Sequence, residues 1–297
     1  MSGGNVVTAA GALRARTATA FILGPLVMAA VLWLPAPGFA AFIAMVTLVG
    51  AWEWSGLTGI AARAGRAAYV ILVAVGLASL WFAPPQWRLG LVAVGGAWWA
   101  IQSVLLARVA RIEPRTALDG AGALSGLLVL CVAWAALVEL HAFDPAGSAL
   151  GALHGFVAAG PALVLFLLLL IWFADSAAYF AGRRWGGTKL APVLSPGKTR
   201  AGVYGALALA GVGGLALGYL LAPGSGGPWS AVLVCAVTVL MSVVGDLYES
   251  LLKRRRGVKD SGQLLPGHGG LLDRIDSLTA AAPLFLLGLT LIAVVNP

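Results

Sequence analysis

The sequence predicts an all-α polytopic membrane protein with about nine transmembrane helices, and three observations support this. Of the 297 residues, 60% are apolar and 10% are charged, whereas soluble domains are about half apolar and a quarter charged. The apolar residues form runs of the roughly 20 residues that a helix needs to cross a bilayer. The basic residues lie between these runs, on alternate connections. This composition excludes a soluble globule, and the low charge excludes a disordered chain.

Nine apolar runs follow one another along the chain, each long enough for one membrane-spanning helix. They lie near residues 17–36, 38–57, 67–84, 88–108, 120–141, 156–181, 201–222, 229–252 and 276–295. The first run follows Arg14 and Arg16 and lacks a clear A-x-A cleavage site, so we interpret it as a retained helix. Gly214 and Gly218 in the seventh run have the small-xxx-small spacing that lets two helices approach closely.

The net charge of +8 indicates an orientation once the positions of the basic residues are considered. Positive residues accumulate on the cytoplasmic side of membrane proteins. With nine spans and a cytoplasmic N-terminus, the N-terminal arm and the connections after spans 2, 4, 6 and 8 carry every Lys and Arg except Arg88. We therefore predict an integral membrane protein with its N-terminus on the cytoplasmic side, and we expect its location to be a bacterial cytoplasmic membrane.

Five acidic residues lie within the apolar runs, namely Glu53, Glu139, Asp175, Asp246 and Glu249. A carboxylate in hydrocarbon costs roughly 2.5 kcal/mol or more, so each needs a partner, a cation or a water-filled cavity. Glu53 and Glu139 are equally compatible with helix-end side chains that reach the interface. Asp175 and Asp246 differ, because each ends a helix that leads into a long polar connection.

Those two connections, residues 182–200 and 253–275, are where we expect the chemistry of the chain. The second lies between two acidic pairs: Asp246 with Glu249 on one helix, and the three-residue spacing of Asp273 and Asp276 on the next. Magnesium binds carboxylates together with phosphate oxygens, while basic side chains and glycine N–H groups hold the rest of a polyphosphate. A surface salt-bridge cluster is the alternative interpretation, but it does not explain the glycine-rich part of the connection.

Residues 250–276 read SLLKRRRGVKDSGQLLPGHGGLLDRID. This segment closely resembles the motif of the phosphatidate cytidylyltransferases, or CDP-diacylglycerol synthases, of the form S-x-x-K-R-x4-K-D-x-G-x2-L-P-x-H-G-G-x2-D-R-x-D. The positions in register are Ser250, Lys253, Arg254, Lys259, Asp260, Gly262, Leu265, Pro266, His268, Gly269, Gly270, Asp273, Arg274 and Asp276. The segment 175–202 is similar to the other cytoplasmic block of that family, at Asp175, Tyr179, Gly182, Ser195, Pro196, Lys198, Thr199 and Gly202. Gly187, Arg200 and Ala201 depart from the family pattern.

The resemblance implies transfer of CMP from CTP to phosphatidate, which yields CDP-diacylglycerol and pyrophosphate. It also implies a magnesium-dependent active site at the cytoplasmic membrane face, with room for a second cation, and a homodimer. The expected partners are therefore CTP, phosphatidate and membrane lipids, and the positive face serves their phosphates rather than a nucleic acid. We predict one membrane domain over 1–297, with spans 17–141 as a scaffold and 156–295 as the catalytic portion.

The site residues are assigned by their match to the family motif and by their chemistry. Asp246 and Asp273 are the first candidate metal ligands, followed by Asp276 and Asp175. The candidate phosphate-binding and catalytic residues are Lys198, Lys253, Arg254, Lys259 and Arg274, with His268 as a further candidate of unassigned role. The candidate nucleotide-binding residues are Ser195, Thr199, Ser250, Gly269 and Gly270, although the hydroxyl side chains suit helix capping equally well. Arg255 and Arg256 suit either a phosphate or anionic lipid headgroups.

Two alternative functions remain open at this point. A CTP-dependent lipid enzyme with another acceptor, such as a prenyl-ether phosphate, would carry the same motif. A membrane transporter would also contain intramembrane acids and glycine-broken helices. The transporter is disfavoured, because the two halves of the chain are unlike each other and the polar residues gather on one membrane face instead of at the midplane.

Overall fold

A computed structural model of the chain describes residues 9–144, 158–221, 228–265 and 269–295, with side chains from residue 21 to residue 294 within these ranges. This part contains nine helices: α1 (Ala9–Trp33), α2 (Ala36–Leu57), α3 (Arg63–Phe82), α4 (Pro85–Ala107), α5 (Gly120–His141), α6 (Ala159–Trp185), α7 (Arg200–Leu221), α8 (Trp229–Arg256) and α9 (Leu272–Val295). Eight are long and apolar enough to cross a membrane, and Phe21–Trp33 of α1 forms a shorter apolar helix. The predicted all-α polytopic fold is confirmed.

The helices match the nine predicted spans but extend past the apolar runs at their polar ends. α8 continues through the basic residues 253–256, since cations in the last turn interact favourably with the helix dipole. It ends at Gly257, whose φ of 69° is the left-handed conformation that terminates many helices. α4 begins at Pro85, where the missing N–H group removes no helical hydrogen bond.

A small β-hairpin, which the sequence analysis did not predict, lies in the first polar connection. Its strands are β1 (Lys189–Ala191) and β2 (Ser195–Thr199), which pair antiparallel with Lys189 opposite Thr199. Leu194 in the turn is buried and anchors the hairpin against the helices. The hairpin leads directly into α7, so its end is held at the edge of the helix bundle.

The glycine pair on α7 contacts a helix of the same chain. A Cβ atom at Gly214 would collide with the backbone of Val232, and one at Gly218 would collide with Pro228. Both contacts lie at the start of α8. The close approach that the small-xxx-small spacing predicts is therefore an α7–α8 contact within this chain.

The basic connections after α2, α4, α6 and α8 meet at one end of the bundle. The Arg256 guanidinium donates to the carbonyl oxygens of Arg115 and Thr116, both at 2.7 Å. The Lys198 ammonium lies 2.7 Å from a carboxylate oxygen of Asp246. The partition of charge predicted from the sequence thus corresponds to one end of the bundle.

The single basic residue outside that group is at the opposite end. Arg88 forms an ion pair with Glu139 and also donates to the carbonyl oxygen of Ala83 at 2.7 Å. Only 15% of each ion-pair side chain is exposed. Glu139 is therefore a partnered acid between α4 and α5, and not one that simply reaches the interface.

Candidate active site

One cavity of about 800 Å³ extends from the basic end of the bundle into its apolar interior. Its polar end is lined by residues of α6, α8 and α9, namely Asp175, Asp246, Asp273, Arg274 and Asp276. Its apolar walls come from α1, α2, α5 and α6. The structure therefore brings the four predicted metal ligands around one cavity, although they are up to 101 positions apart in the sequence.

Asp273, at the start of α9, is held by an extensive set of hydrogen bonds. Its Oδ2 atom accepts from the amide and hydroxyl groups of Ser261, at 2.9 and 3.0 Å, and from the Gly270 amide at 2.8 Å. Its Oδ1 atom accepts from the Lys253 ammonium at 2.7 Å. A carboxylate offers about four acceptor positions. Asp273 is therefore oriented by the protein and retains little capacity for another ligand beyond Oδ1.

Lys253 joins α8 to α9 through two carboxylates. Its ammonium lies 2.5 Å from Glu249 Oε2 and 2.7 Å from Asp273 Oδ1, and 13% of its side chain is exposed. Charge-assisted bonds of this kind are about twice as strong as neutral ones. Lys253, predicted to contact phosphate, thus has two carboxylate partners already and orients Asp273.

Glu249 has one oxygen with no assigned partner. Its side chain is 2% exposed, and within the described residues its Oε1 atom accepts no hydrogen bond. Asp276, on the facing turn of α9, is both an electrostatic and a hydrogen-bonding neighbour of the same carboxyl group. Two adjacent buried carboxyl groups are unfavourable when both are charged, so this pair is stabilised by a shared proton or by a positive group beside it, as Lys253 is beside Glu249.

Asp246 is less constrained than Asp273. Among the described residues its donors are Lys198, at 2.7 Å from Oδ2, and the Ser250 hydroxyl, at 3.3 Å from Oδ1. A third of the Asp246 side chain is exposed, compared with 8% for Asp273. Two acceptor positions on Asp246 therefore remain available from the cavity.

Glu53 of α2 is a site residue that the sequence analysis did not identify. Its carboxylate accepts from the amides of Leu271 and Leu272, at 3.1 and 2.7 Å, and from the Ser261 hydroxyl at 3.3 Å. The first amides of a helix have no partner within the helix and favour a negative charge. Glu53 is 4% exposed, so it is a buried cap of α9 and does not reach the interface.

Two glycines of the α8–α9 connection allow the backbone to pass close to Asp273 and Glu53. Gly269 has a φ of 82°, a left-handed conformation that costs a side-chain-bearing residue energy. A Cβ atom at Gly270 would lie 2.7 Å from Glu53 Oε2. Because the Gly270 amide already donates to Asp273, it orients the metal-ligand candidate. His268 lies outside the described residues.

The basic residues after Lys253 divide into two groups. Arg256 is bonded to backbone carbonyl groups of the α4–α5 connection, and the Arg255 guanidinium lies 3.8 Å from Asp119. Both residues therefore contact the α4–α5 connection, and the phosphate and lipid-headgroup interpretations of these two residues stay predictions. The other basic residues after Lys253, namely Arg254, Lys259 and Arg274, are exposed.

The hydroxyl candidates also differ in their surroundings. Thr199 is buried, and its hydroxyl oxygen accepts from the Gly202 amide at 3.1 Å, so it caps the start of α7 as the capping alternative expects. Ser250 donates to Asp246 and orients that carboxylate. Ser195 lies at the start of β2, opposite Ala191, and is partly exposed.

Comparisons with known proteins show similarity over most of the chain. Residues 14–292 match a family model described as the cytidylyltransferase family. A phosphatidate cytidylyltransferase of Pseudomonas aeruginosa is 39% identical over 273 residues, which are 92% of this chain and 95% of that protein. One of Brucella suis is 35% identical over 283 residues, or 93% and 92% of the two chains. One of Haemophilus influenzae is 49% identical over 130 residues, or 41% and 44%. The similarity thus includes the N-terminal half.

Proposed function

The chain belongs to the cytidylyltransferase family, and we propose that it transfers CMP from CTP to phosphatidate, forming CDP-diacylglycerol and pyrophosphate. The names of its relatives support this substrate pair. The structural observation that carries the proposal is a cavity with four carboxylates and Arg274 at one end and apolar walls along the rest. Such a cavity suits a reaction between a polar nucleotide and an amphiphilic phosphate.

The reaction needs little from an acid or a base. The phosphate of phosphatidate is already ionised, so one of its oxygens attacks the α-phosphorus of CTP directly. A new P–O bond forms while the bond from the α-phosphorus to the bridging oxygen breaks, and pyrophosphate leaves with that electron pair. Positioning two anions and neutralising their charge are therefore the main tasks of the protein.

The carboxylates at the polar end suit Mg²⁺. Within the described residues, no group of three or more His, Cys, Asp or Glu side chains is spaced to hold a metal ion unaided. Magnesium in nucleotide sites takes one or two carboxylates and completes its shell with phosphate oxygens and water. Asp246, with two available acceptor positions, and Oδ1 of Asp273 fit that role, with Asp276 and Asp175 beside them. When bound, magnesium would neutralise charge on the nucleotide phosphates.

A second cation would lie beside the adjacent carboxyl groups of Glu249 and Asp276. The buried Oε1 atom of Glu249 lies on α8, between Asp246 and Lys253 in sequence, and gains a favourable contact from any positive group that reaches it. Lys253 already compensates part of the local negative charge.

The cationic side chains have two roles in this proposal: some bind substrate phosphates, and one orients a carboxylate. Lys198 is 24% exposed and bound to Asp246, so it is placed to exchange this carboxylate for a phosphate when the nucleotide enters. Arg274 lines the cavity, and Arg254 and Lys259 are exposed at the same end. These four residues bind and orient the two phosphate-bearing substrates, while Lys253 orients Asp273.

We place this end of the bundle on the cytoplasmic side, since it carries the basic connections. CTP then reaches the site from the cytoplasm, and phosphatidate reaches it from the membrane together with the surrounding lipids. The homodimer implied by the family resemblance is retained as a prediction. Mass measurement of the purified protein in nanodiscs tests the homodimer.

The activity test uses purified protein in nanodiscs with labelled CTP, phosphatidate and Mg²⁺. We expect labelled CDP-diacylglycerol and an equal amount of pyrophosphate. A folded preparation that forms no labelled lipid would contradict the proposal. Competition with a prenyl-ether phosphate distinguishes the other acceptor class, and nucleotide-independent uptake by proteoliposomes would indicate the transporter.

A further inference from the structure

The apolar part of the cavity has no role in the chemistry at its polar end. This part, here called the apolar arm, is lined by side chains of four helices, including Val27, Val31, Phe39, Leu137, Val164 and Leu168. A nucleotide does not suit such walls, because burial of its polar groups without hydrogen bonds is unfavourable. The arm therefore requires an apolar occupant.

The length of the arm matches that of a lipid chain. Along α6 the cavity lining runs from Asp175 at the polar end to Val164. At about 1.5 Å per helical residue, this separation is about 16 Å. The hydrocarbon core of a bilayer is about 30 Å thick, so the arm is about as long as one leaflet is deep.

The far end of the arm is closed by an ordered aromatic pair. Phe39 of α2 is fully buried and stacks on His141 of α5, with ring centroids 4.1 Å apart and an angle of 11° between the rings. The Nε2 atom of His141 lies 3.1 Å from the carbonyl oxygen of Val31 on α1. Three helices therefore hold Phe39 in place as the end wall.

The side of the arm faces the membrane between α1 and α2. Leu26 of α1 and Met45 of α2 line the cavity, yet they are 52% and 59% exposed. An apolar chain can therefore reach the arm laterally from the hydrocarbon, while its headgroup stays near Arg274 and the carboxylates.

We propose that the apolar arm binds one acyl chain of the phosphatidate substrate, and that Phe39 determines the chain length that fits. This inference rests on the proposed function, because it assigns the rest of the same substrate. Removing the phenyl ring lengthens the arm, so longer chains gain buried methylene groups. Each methylene that enters changes kcat/KM by about threefold to fourfold.

The test measures kcat/KM for a series of phosphatidates whose acyl chains differ by pairs of methylene groups. We expect Phe39→Ala and the milder Phe39→Leu to shift the preferred substrate to longer chains, by more in the alanine variant. Val27→Phe, which narrows the arm from α1, should shift the preference to shorter chains. The KM for CTP should stay unchanged in all three variants.

The matched control is Phe82→Ala, since Phe82 is 84% exposed at the end of α3. It should keep the wild-type chain preference. An unchanged preference in folded, active Phe39→Leu and Val27→Phe proteins would overturn the inference, and would indicate that the arm holds bulk lipid. If the wild-type protein formed no CDP-diacylglycerol, the proposed function itself would fail, so the two failures are distinguishable.

Discussion

The two polar connections build the site in different ways. The α8–α9 connection is fixed from several directions, because Asp273 receives four hydrogen bonds and Glu53 receives three. The β-hairpin between α6 and α7 reaches the site through Lys198, whose carboxylate partner Asp246 is a third exposed. The comparison indicates that the α8–α9 connection is the preorganised side of the site. The hairpin with Lys198 and Asp246 is the side that can rearrange when substrates bind.

The largest expected effects come from the two aspartates, which lie on opposite sides of this comparison. Asp246→Asn should lower kcat/KM by more than about a hundredfold, because a metal ligand contributes several kcal/mol. It should leave the free energy of unfolding nearly unchanged. Asp273→Asn should lower both kcat/KM and the free energy of unfolding. The free energy of unfolding should fall by about 3 kcal/mol, because the substitution breaks a buried ion pair and leaves the charge of Lys253 less compensated. Assays and denaturant unfolding of both variants check this difference. Equal stability of the two would contradict the comparison.

The next largest effect is expected for Glu53→Gln. The amide group of glutamine places a donor opposite the backbone amides of Leu271 and Leu272, so about 1 to 3 kcal/mol of stability is lost. Because the start of α9 shifts with it, we also expect kcat/KM to fall about tenfold and the Mg²⁺ concentration for half-maximal activity to rise.

The matched control for that variant is Glu139→Gln, which breaks the ion pair with Arg88 at the other end of the bundle. It should lose stability without any change in magnesium dependence. If the two variants had the same magnesium dependence, the positioning role of Glu53 would be disproved and only a structural role would remain.

A smaller effect on stability, with a clear effect on activity, is expected for Lys198→Ala. Partly exposed ion pairs contribute about 0 to 1 kcal/mol, so the free energy of unfolding should barely change. The KM for CTP should rise about tenfold, because a charge-assisted phosphate contact is lost. A stability loss as large as that of Asp273→Asn, with an unchanged KM, would place Lys198 on the preorganised side.

The smallest effect is expected for Thr199→Ala. Loss of the helix cap should cost about 1 kcal/mol in the free energy of unfolding. The KM for CTP should stay at the wild-type value, because the hydroxyl group is buried and bonded to Gly202. A rise in KM without a loss of stability would instead restore Thr199 as a nucleotide contact.

Hydropathy and charge placement were sufficient to predict the architecture. Nine spans and one basic end follow from local composition, because a bilayer requires apolar runs of fixed length and sorts positive charge by side. The motif in 250–276 also identified Asp273, and the acidic pair just before it identified Asp246; the structure brings both residues to one cavity.

Contacts between distant segments were not predictable in the same way. Glu53 is 218 positions from Leu271, whose amide it binds, and no local pattern links an acid in one span to the start of another helix. The contacts of Arg255 and Arg256 likewise depend on the α4–α5 connection, which lies far from them in the sequence. The hairpin was missed because its strands of 3 and 5 residues are too short for a periodic signal.

The central claim is that CMP passes from CTP to phosphatidate at the polar end of this cavity. The most direct measurement follows CTP labelled at its α-phosphate into the lipid extract, with wild-type and Asp246→Asn proteins compared in the same nanodiscs. The account predicts that the label enters the lipid with the wild-type protein, with one pyrophosphate released per label, and stays in CTP with Asp246→Asn. Label that appears only in free CMP, or that enters the lipid equally with both proteins, would contradict the account.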